Sequence, residues 1–156
     1  MTDAEIDAKL AAMGLALPEA RVPVANYVPV LTVGSTAYVS GQIPMIDGAL
    51  VTGRVGDDLD VEGGVAAARA CGLMVLAQLR QALGSLDRVE RIVKLGVFVC
   101  STADFTGHPF VANGASDLMV DLFGDAGRHS RSAVGVPALP LGAAVEIEAV
   151  VALRAA

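Results

Sequence analysis

The stretch "GRHSRSAVG", residues 127–135, sets Arg128, His129 and Arg131 within four positions of a chain that is otherwise acidic. Downstream, "VEIEA" places Glu146 and Glu148 two residues apart, and therefore on one face of any strand they occupy. A guanidinium offers paired donors that match a carboxylate, and a partly desolvated carboxylate is a reasonable base for water. The pattern thus allows Arg131 to clamp a small carboxylate while Glu146 positions water. It equally allows a structural Arg131–Glu146 ion pair at a subunit junction, because an acid on an interior strand face needs a partner or water. A third cluster is "SGQIP", residues 40–44. Ser40 and Gln42 supply hydrogen bonds, and Gly41 leaves space for a ligand, a neighbouring backbone or a β-bulge. His129 reads as a proton shuttle or as an exposed loop histidine. Exposure is the simpler expectation, with Arg128 and His129 as bystanders, and His108 before Pro109 says less still.

Other chemistries lack their residues. Two histidines and two scattered cysteines do not make a standard zinc set, and neither HExxH nor CxxC occurs. There is no GxSxG elbow, and Cys100 shows no activating base. "GDDLDVEGG" lacks the phosphate-loop pattern and carries acids that repel phosphate. No cofactor and no metal are expected. Cys71 and Cys100 read as reduced thiols.

The elements that must position these residues follow from patterning. At 156 residues the chain is expected to form one core. Hydrophobic residues make up 54% but aromatics only 4%, so the core is aliphatic, and the excess of apolar surface points to burial between subunits. "TDAE" has capping-box spacing and starts a short N-terminal helix that ends near Gly14, within an extension over 1–20. Residues 21–156 then form a single domain. "YVPVLTV", "TAYVSGQIPMI" and "ALV" read as three short antiparallel strands, with Asp47-Gly48 as a hairpin turn. Asp60 caps an amphipathic helix over 61–83 that stops at Gly84. "RIVKLGVFVC" is a central strand, a second and shorter helix uses Leu118, Met119, Leu122 and Phe123, and "AAVEIEAVVAL" is a last strand. In that strand Val145, Ile147, Ala149 and Val151 share one face, and Glu146, Glu148 and Val150 the other. One sheet with two helices on one face accounts for this order, and its second face needs another subunit. If "SAVGV" is extended, "ALPLG" folds the chain back and lays Arg131 near the Glu146 end.

A net charge of −6 argues against nucleic-acid binding. The acidic start and the lack of a long apolar run leave a cytoplasmic protein, off the membrane, as the expectation.

With "AYVSGQIP", "VKLGVFV" and "SRSAVGVPALPLGAAVEIEAVV" in this order, the sequence from about Tyr27 to Leu153 resembles the Rid family of reactive intermediate deaminases. These are also called YjgF proteins or L-PSP endoribonucleases. The resemblance implies an α+β, chorismate-mutase-like fold assembled as a homotrimer with ligand clefts between subunits. It implies that Arg131 holds the carboxylate of a 2-imino acid or its enamine, that Glu146 orients the attacking water, and that Tyr27, Ser40 and Gly41 line the cleft from the neighbouring subunit. Ala133 stands where many members have Cys, so only a backbone contact carries over there. A cleft-lining Asn of the family has no assignable position in the stretch "HPFVANGASDLMVDLFGDAGRHS". The activity implied is hydrolysis of small imino or enamine acids to 2-keto acids and ammonia. The alternatives are a trimeric carboxylate-binding regulator without catalysis and, less favoured, an RNA-cleaving or translation-inhibiting protein.

Overall fold

The capping box in "TDAE" opens α1 (Asp3–Ala12) of the computed structural model, which describes residues 1–156. Thr2 Oγ1 accepts from the Glu5 amide at 3.2 Å, and Glu5 Oε2 accepts from the Thr2 amide at 2.6 Å. The chain continues through β1 (Val30–Val33), β2 (Thr36–Gln42), β3 (Met45–Ile46) and β4 (Ala49–Leu50) to α2 (Val61–Leu83). β5 (Val89–Cys100), α3 (His108–Phe123), β6 (Ser130–Val136) and β7 (Val145–Leu153) follow. The ends of α2 match the sequence reading. Asp60 accepts from the Gly63 amide at 2.7 Å, and Gly84 closes the helix at φ 83°.

Five strands form a mixed sheet in the order β1-β2-β7-β5-β6, while β3 and β4 pair as a separate ribbon. β7 is antiparallel to both β2 and β5, whereas β6 is parallel to β5. A parallel neighbour needs a crossover, and α3 supplies it. "TAYVSGQIPMI" is two strands rather than one, because Pro44 has no amide to donate to a ladder. α3 begins ten residues before the expected helix. Gly114 and its neighbours Ala112 and Ala115 are buried there, so small residues that read as loop serve close packing against α2.

One face of the sheet carries Ala37, Val39, Leu95, Val97, Val99, Ile147, Ala149 and Val151, all buried beneath α2 and α3. α1 adds a third helix across the shared C-terminal end of α2 and α3. Ile6 and Leu10 enter the same core, Arg80 bonds Asp7 at 2.9 Å and meets Asp3 at 3.3 Å, and Lys9 Nζ donates to the Leu122 carbonyl at 3.2 Å. The helix expected as an extension is therefore built into the core. On the opposite face of the sheet Leu31, Val33, Tyr38 and Val134 are each about half exposed, at 54, 59, 48 and 46%. No helix is long and apolar enough to cross a membrane.

Candidate active site

Four of the expected site residues, Tyr27, Ser40, Gly41 and above all Glu146, depend on one irregularity in β2. The β2–β7 register shifts between Val39 and Gln42, which makes Ser40-Gly41 the bulge that the sequence allowed. The extra residue brings Gln42 to the buried face opposite Ile147, while Ser40 stays on the outer face, where its amide donates to the Pro29 carbonyl at 2.9 Å and its hydroxyl to the Val28 carbonyl at 2.7 Å. Ser40 thereby pins the segment that carries Tyr27. The same segment is held from below by two buried amides. Gln78 Nε2 donates to the Arg21 carbonyl at 2.8 Å and to Gln42 Oε1 at 3.3 Å, and Gln42 Nε2 donates to the Ser40 carbonyl at 2.9 Å. The buried polar residues Gln42, Gln78 and Ser101 each have a side-chain partner, which is the condition for keeping them in a core.

The result is a cavity of about 580 Å³ lined by Arg21, Tyr27, Ser40, Gly41, Glu146 and Glu148 among others. Glu146 lies over Gly41 so closely that a Cβ on that glycine would stand 2.7 Å from Oε1. What approaches Gly41 is thus the acid itself. Burial, and secondarily the charge of Glu148, raise the Glu146 carboxyl above its ordinary 4.5. Glu148 is the more exposed of the two acids, so Glu146 is the one whose environment favours taking up a proton. Gly41→Ala is expected to displace the Glu146 carboxylate, a flexible group, rather than the backbone. The variant should melt within a few degrees of the parent while its activity falls by roughly tenfold or more. An unchanged activity would mean that Glu146 does not need its present place.

Arg131 lies elsewhere. It pairs with Leu95 across β5–β6, and since paired residues share a face it points to the helix side, toward α3. Its Nη1 donates to Asn113 Oδ1 at 2.8 Å and to Ser116 Oγ at 3.0 Å. Both hydrogens of Nη1 are engaged, which leaves the Nε and Nη2 edge of the fork to a ligand. Ala133 follows two residues on along the same face of β6. Asn113 and Ser116, one helical turn apart on α3, were not legible as site residues, because the start of α3 was not. Asn113 is the candidate for the cleft-lining Asn that the resemblance left without a position.

Arg131 and Glu146 form no pair within the chain. Glu146 pairs with Phe98 across β5–β7, on the face opposite Leu95, and β5 runs between β7 and β6. The expectation that "ALPLG" lays Arg131 near Glu146 is corrected. β6 runs parallel to β5 instead of folding back on β7, and the parity of that register sends the two side chains to opposite faces. The chain thus carries two separate clusters of expected site residues. Tyr27, Ser40, Gly41 and Glu146 make one, and Arg131 with Ala133 and Asn113 makes the other, on the edge strand β6. His129, expected to be an exposed bystander, is half-buried and hydrogen-bonded. Arg128 is exposed, with Asp125 at 3.9 Å as its nearest ion partner. No group of three or more His, Cys, Asp or Glu side chains comes together to hold a metal ion.

The family model "YjgF/chorismate_mutase-like, putative endoribonuclease" matches residues 7–152, which take in both clusters and most of α1. The chain belongs to the Rid (YjgF) family. Among Rid relatives, "Protein TCP17" of Trypanosoma cruzi is 52% identical over 96% of this chain and 94% of its own length. A 2-iminobutanoate/2-iminopropanoate deaminase of Dermatophagoides farinae is 30% identical over 90% of this chain and 95% of its own. A crystal structure of an Agrobacterium tumefaciens protein of unknown function superimposes with a TM-score of 0.92 at 44% identity, covering 97% of this chain and 94% of that one. The Rid fold, with its mixed sheet and chorismate-mutase-like architecture, is therefore the fold of this chain, and the match reaches further toward the N-terminus than the motifs from Tyr27 onward.

The raised Glu146 carboxyl of this Rid chain has a consequence for stability. Its folded-state pKa lies above the unfolded value of 4.5, so the folded state holds the proton more tightly. The stabilisation associated with that proton is complete below about 4.5 and is lost as pH rises through the folded-state value. Glu146→Gln removes this dependence. Denaturant titrations at a series of pH values should show the variant gaining on the parent as pH rises above 4.5, and a constant difference would contradict the raised value.

Proposed function

We propose that this Rid-family chain is a hydrolytic deaminase of small 2-imino acids and their enamine tautomers, acting in clefts between three copies of itself. The observation that carries the reading is the split of the site. A cationic half on the edge strand β6 and an acidic half beside the β2 bulge are each incomplete, and the apolar sheet face between them is uncovered in the single chain. An assembly that buries Leu31, Val33, Tyr38 and Val134 would bring the Arg131 half of one protomer to the Glu146 half of its neighbour. The deaminase name of the 30% identical Dermatophagoides farinae protein supports the same reaction class.

In the proposed reaction the Nε and Nη2 edge of Arg131 takes the substrate carboxylate, and Tyr27 with Ala133 shapes the space around the imine. Glu146 accepts a proton from water as the water oxygen bonds to the imine carbon, and the C=N π electrons move to nitrogen. The tetrahedral aminoalcohol then breaks its C–N bond. Glu146 returns its proton to the nitrogen, which leaves as ammonia, and as the hydroxyl becomes the carbonyl of a 2-keto acid its proton passes to the freed Glu146 carboxylate and on to the departing ammonia or solvent. A protonated imine is already electrophilic, so holding it by its carboxylate beside a water at about 3 Å removes mainly an orientation cost. The endoribonuclease named in the family description is not carried over. A net charge of −6 and a 4% aromatic content do not suit a phosphate backbone or stacked bases.

The test is hydrolysis of 2-iminobutyrate and 2-iminopropionate, generated in situ, by the purified protein and by Arg131→Ala. Acceleration that disappears in a folded variant supports the assignment. No acceleration by the parent, with binding of 2-oxobutyrate retained, would reject the deaminase and leave a carboxylate-binding protein.

A further inference from the structure

We infer that His129 is a positioning residue which, through Ser116, holds Arg131 in the orientation that presents its Nε and Nη2 edge to a carboxylate. The inference rests on the reading of Arg131 as a carboxylate anchor. Four groups stand in line. His129 Nδ1 lies 2.6 Å from the Gly127 carbonyl, His129 Nε2 lies 2.8 Å from Ser116 Oγ, and Ser116 Oγ receives Arg131 Nη1 at 3.0 Å.

The polarity of this line follows from its ends. A carbonyl only accepts, so Nδ1 carries the hydrogen, and in the neutral ring Nε2 is then the acceptor. A guanidinium only donates, so Ser116 Oγ accepts from Nη1 and turns its own hydrogen to Nε2. No donor faces a donor and no acceptor an acceptor. The second hydrogen of Nη1 goes to Asn113 Oδ1 at 2.8 Å, so the plane of the guanidinium is set by two points on α3.

The start of the line is also rigid. Gly127 is buried in the short 3-10 turn after α3, and a Cβ there would run into the Met119 carbonyl. Its backbone is thus seated on α3, and Arg91 Nη2 clamps the same turn through the Asp125 and Arg128 carbonyls at 3.1 and 2.8 Å. Within this frame the Gly127 carbonyl is a fixed reference, and His129 conveys its position to Ser116. An arginine held in advance loses fewer rotamers when the ligand arrives, so the line should act on affinity more than on the chemical step.

The experiment uses the full-length protein with two readouts. In 15N-histidine-labelled protein, His129 should show the Nδ1–H tautomer, and its Nε2 resonance should move in Ser116→Ala. The dissociation constant for 2-oxobutyrate, measured by calorimetry, should rise roughly tenfold in His129→Ala, with the imine KM rising in step and kcat changing much less. His129→Gln, whose side-chain oxygen can accept from Ser116 as Nε2 does, should recover part of the loss. An unchanged dissociation constant in a folded His129→Ala, or an Nε2–H tautomer in the parent, overturns the inference even if imines are hydrolysed. Loss of keto-acid affinity in His129→Ala without any imine turnover by the parent supports the inference and removes the deaminase reading. A parent that does not bind 2-oxobutyrate overturns the anchor and this inference together.

Discussion

Arg131→Lys should lose roughly a hundredfold or more in kcat/KM for 2-iminobutyrate, although it keeps the charge. Three features of the site converge on that number. Lysine has no planar fork, so the paired contact of Nε and Nη2 with a carboxylate becomes a single point. An ammonium on the shorter stem also cannot serve Asn113 and Ser116 at 2.8 and 3.0 Å while facing a ligand. Finally, in the proposed reaction the substrate carboxylate is the handle by which the imine carbon is placed, and a small misplacement is costly where catalysis is mainly orientation. Steady-state kinetics on imine generated in situ, with thermal melts as a control on folding, make the comparison. Stability should hardly move, because Asn113 and Ser116 are only half-buried and water can replace the guanidinium. A lysine variant within a fewfold of the parent would mean that charge alone suffices, and the fork argument would fall.

The largest loss of stability is expected from Gly114→Ala. Gly114 faces α2, and a Cβ there would occupy the place of the Val65 carbonyl, with the Arg69 amide 3.1 Å away. Both are backbone atoms within a helix, so neither can rotate aside, and α3 must move away from α2. Overpacking against backbone should cost about 3 kcal/mol, or a drop of roughly 10 °C in Tm for a domain of this size. Gly72→Ala is the comparison, because its nearest neighbour is the flexible Leu118 side chain at 3.1 Å, and it should cost less. The two positions differ in what they touch, so a similar loss at both would mean that the helix pair yields freely. Since α3 carries Asn113 and Ser116, Gly114→Ala should also weaken keto-acid binding, whereas Gly72→Ala should leave it close to the parent.

The uneven legibility of this protein has a physical origin. α2 was readable because its signals are local: an Asp at the N-cap, a Gly at the left-handed C-cap, and apolar residues at helical intervals between them. β7 was readable because it alternates, with Glu146 and Glu148 set against Val145, Ile147 and Ala149. α3 was half hidden because Asn113, Gly114 and Ser116 are poor helix formers, and what stabilises them as helix is the approach to α2. The bulge at Ser40-Gly41 was one of three possibilities for the same letters, and only the β2–β7 register chooses among them.

The sequence by itself determined the family, through motifs in a fixed order, and with it the fold and the set of residues around which a site can be built. It also determined the aliphatic core, the capped central helix and the two-faced last strand, because each depends on residues close together in the chain. Only the tertiary structure decided that Arg131 and Glu146 turn to opposite faces of the sheet, that Asn113, Ser116 and His129 stand behind Arg131, and that α1 closes the core. β6 has intermediate and exposed residues on both faces, so no hydrophobic alternation in it specifies its parity. That parity is set by pairing with a strand some thirty-five residues earlier, Leu95 opposite Arg131, and a one-residue shift of such a register exchanges the two faces completely.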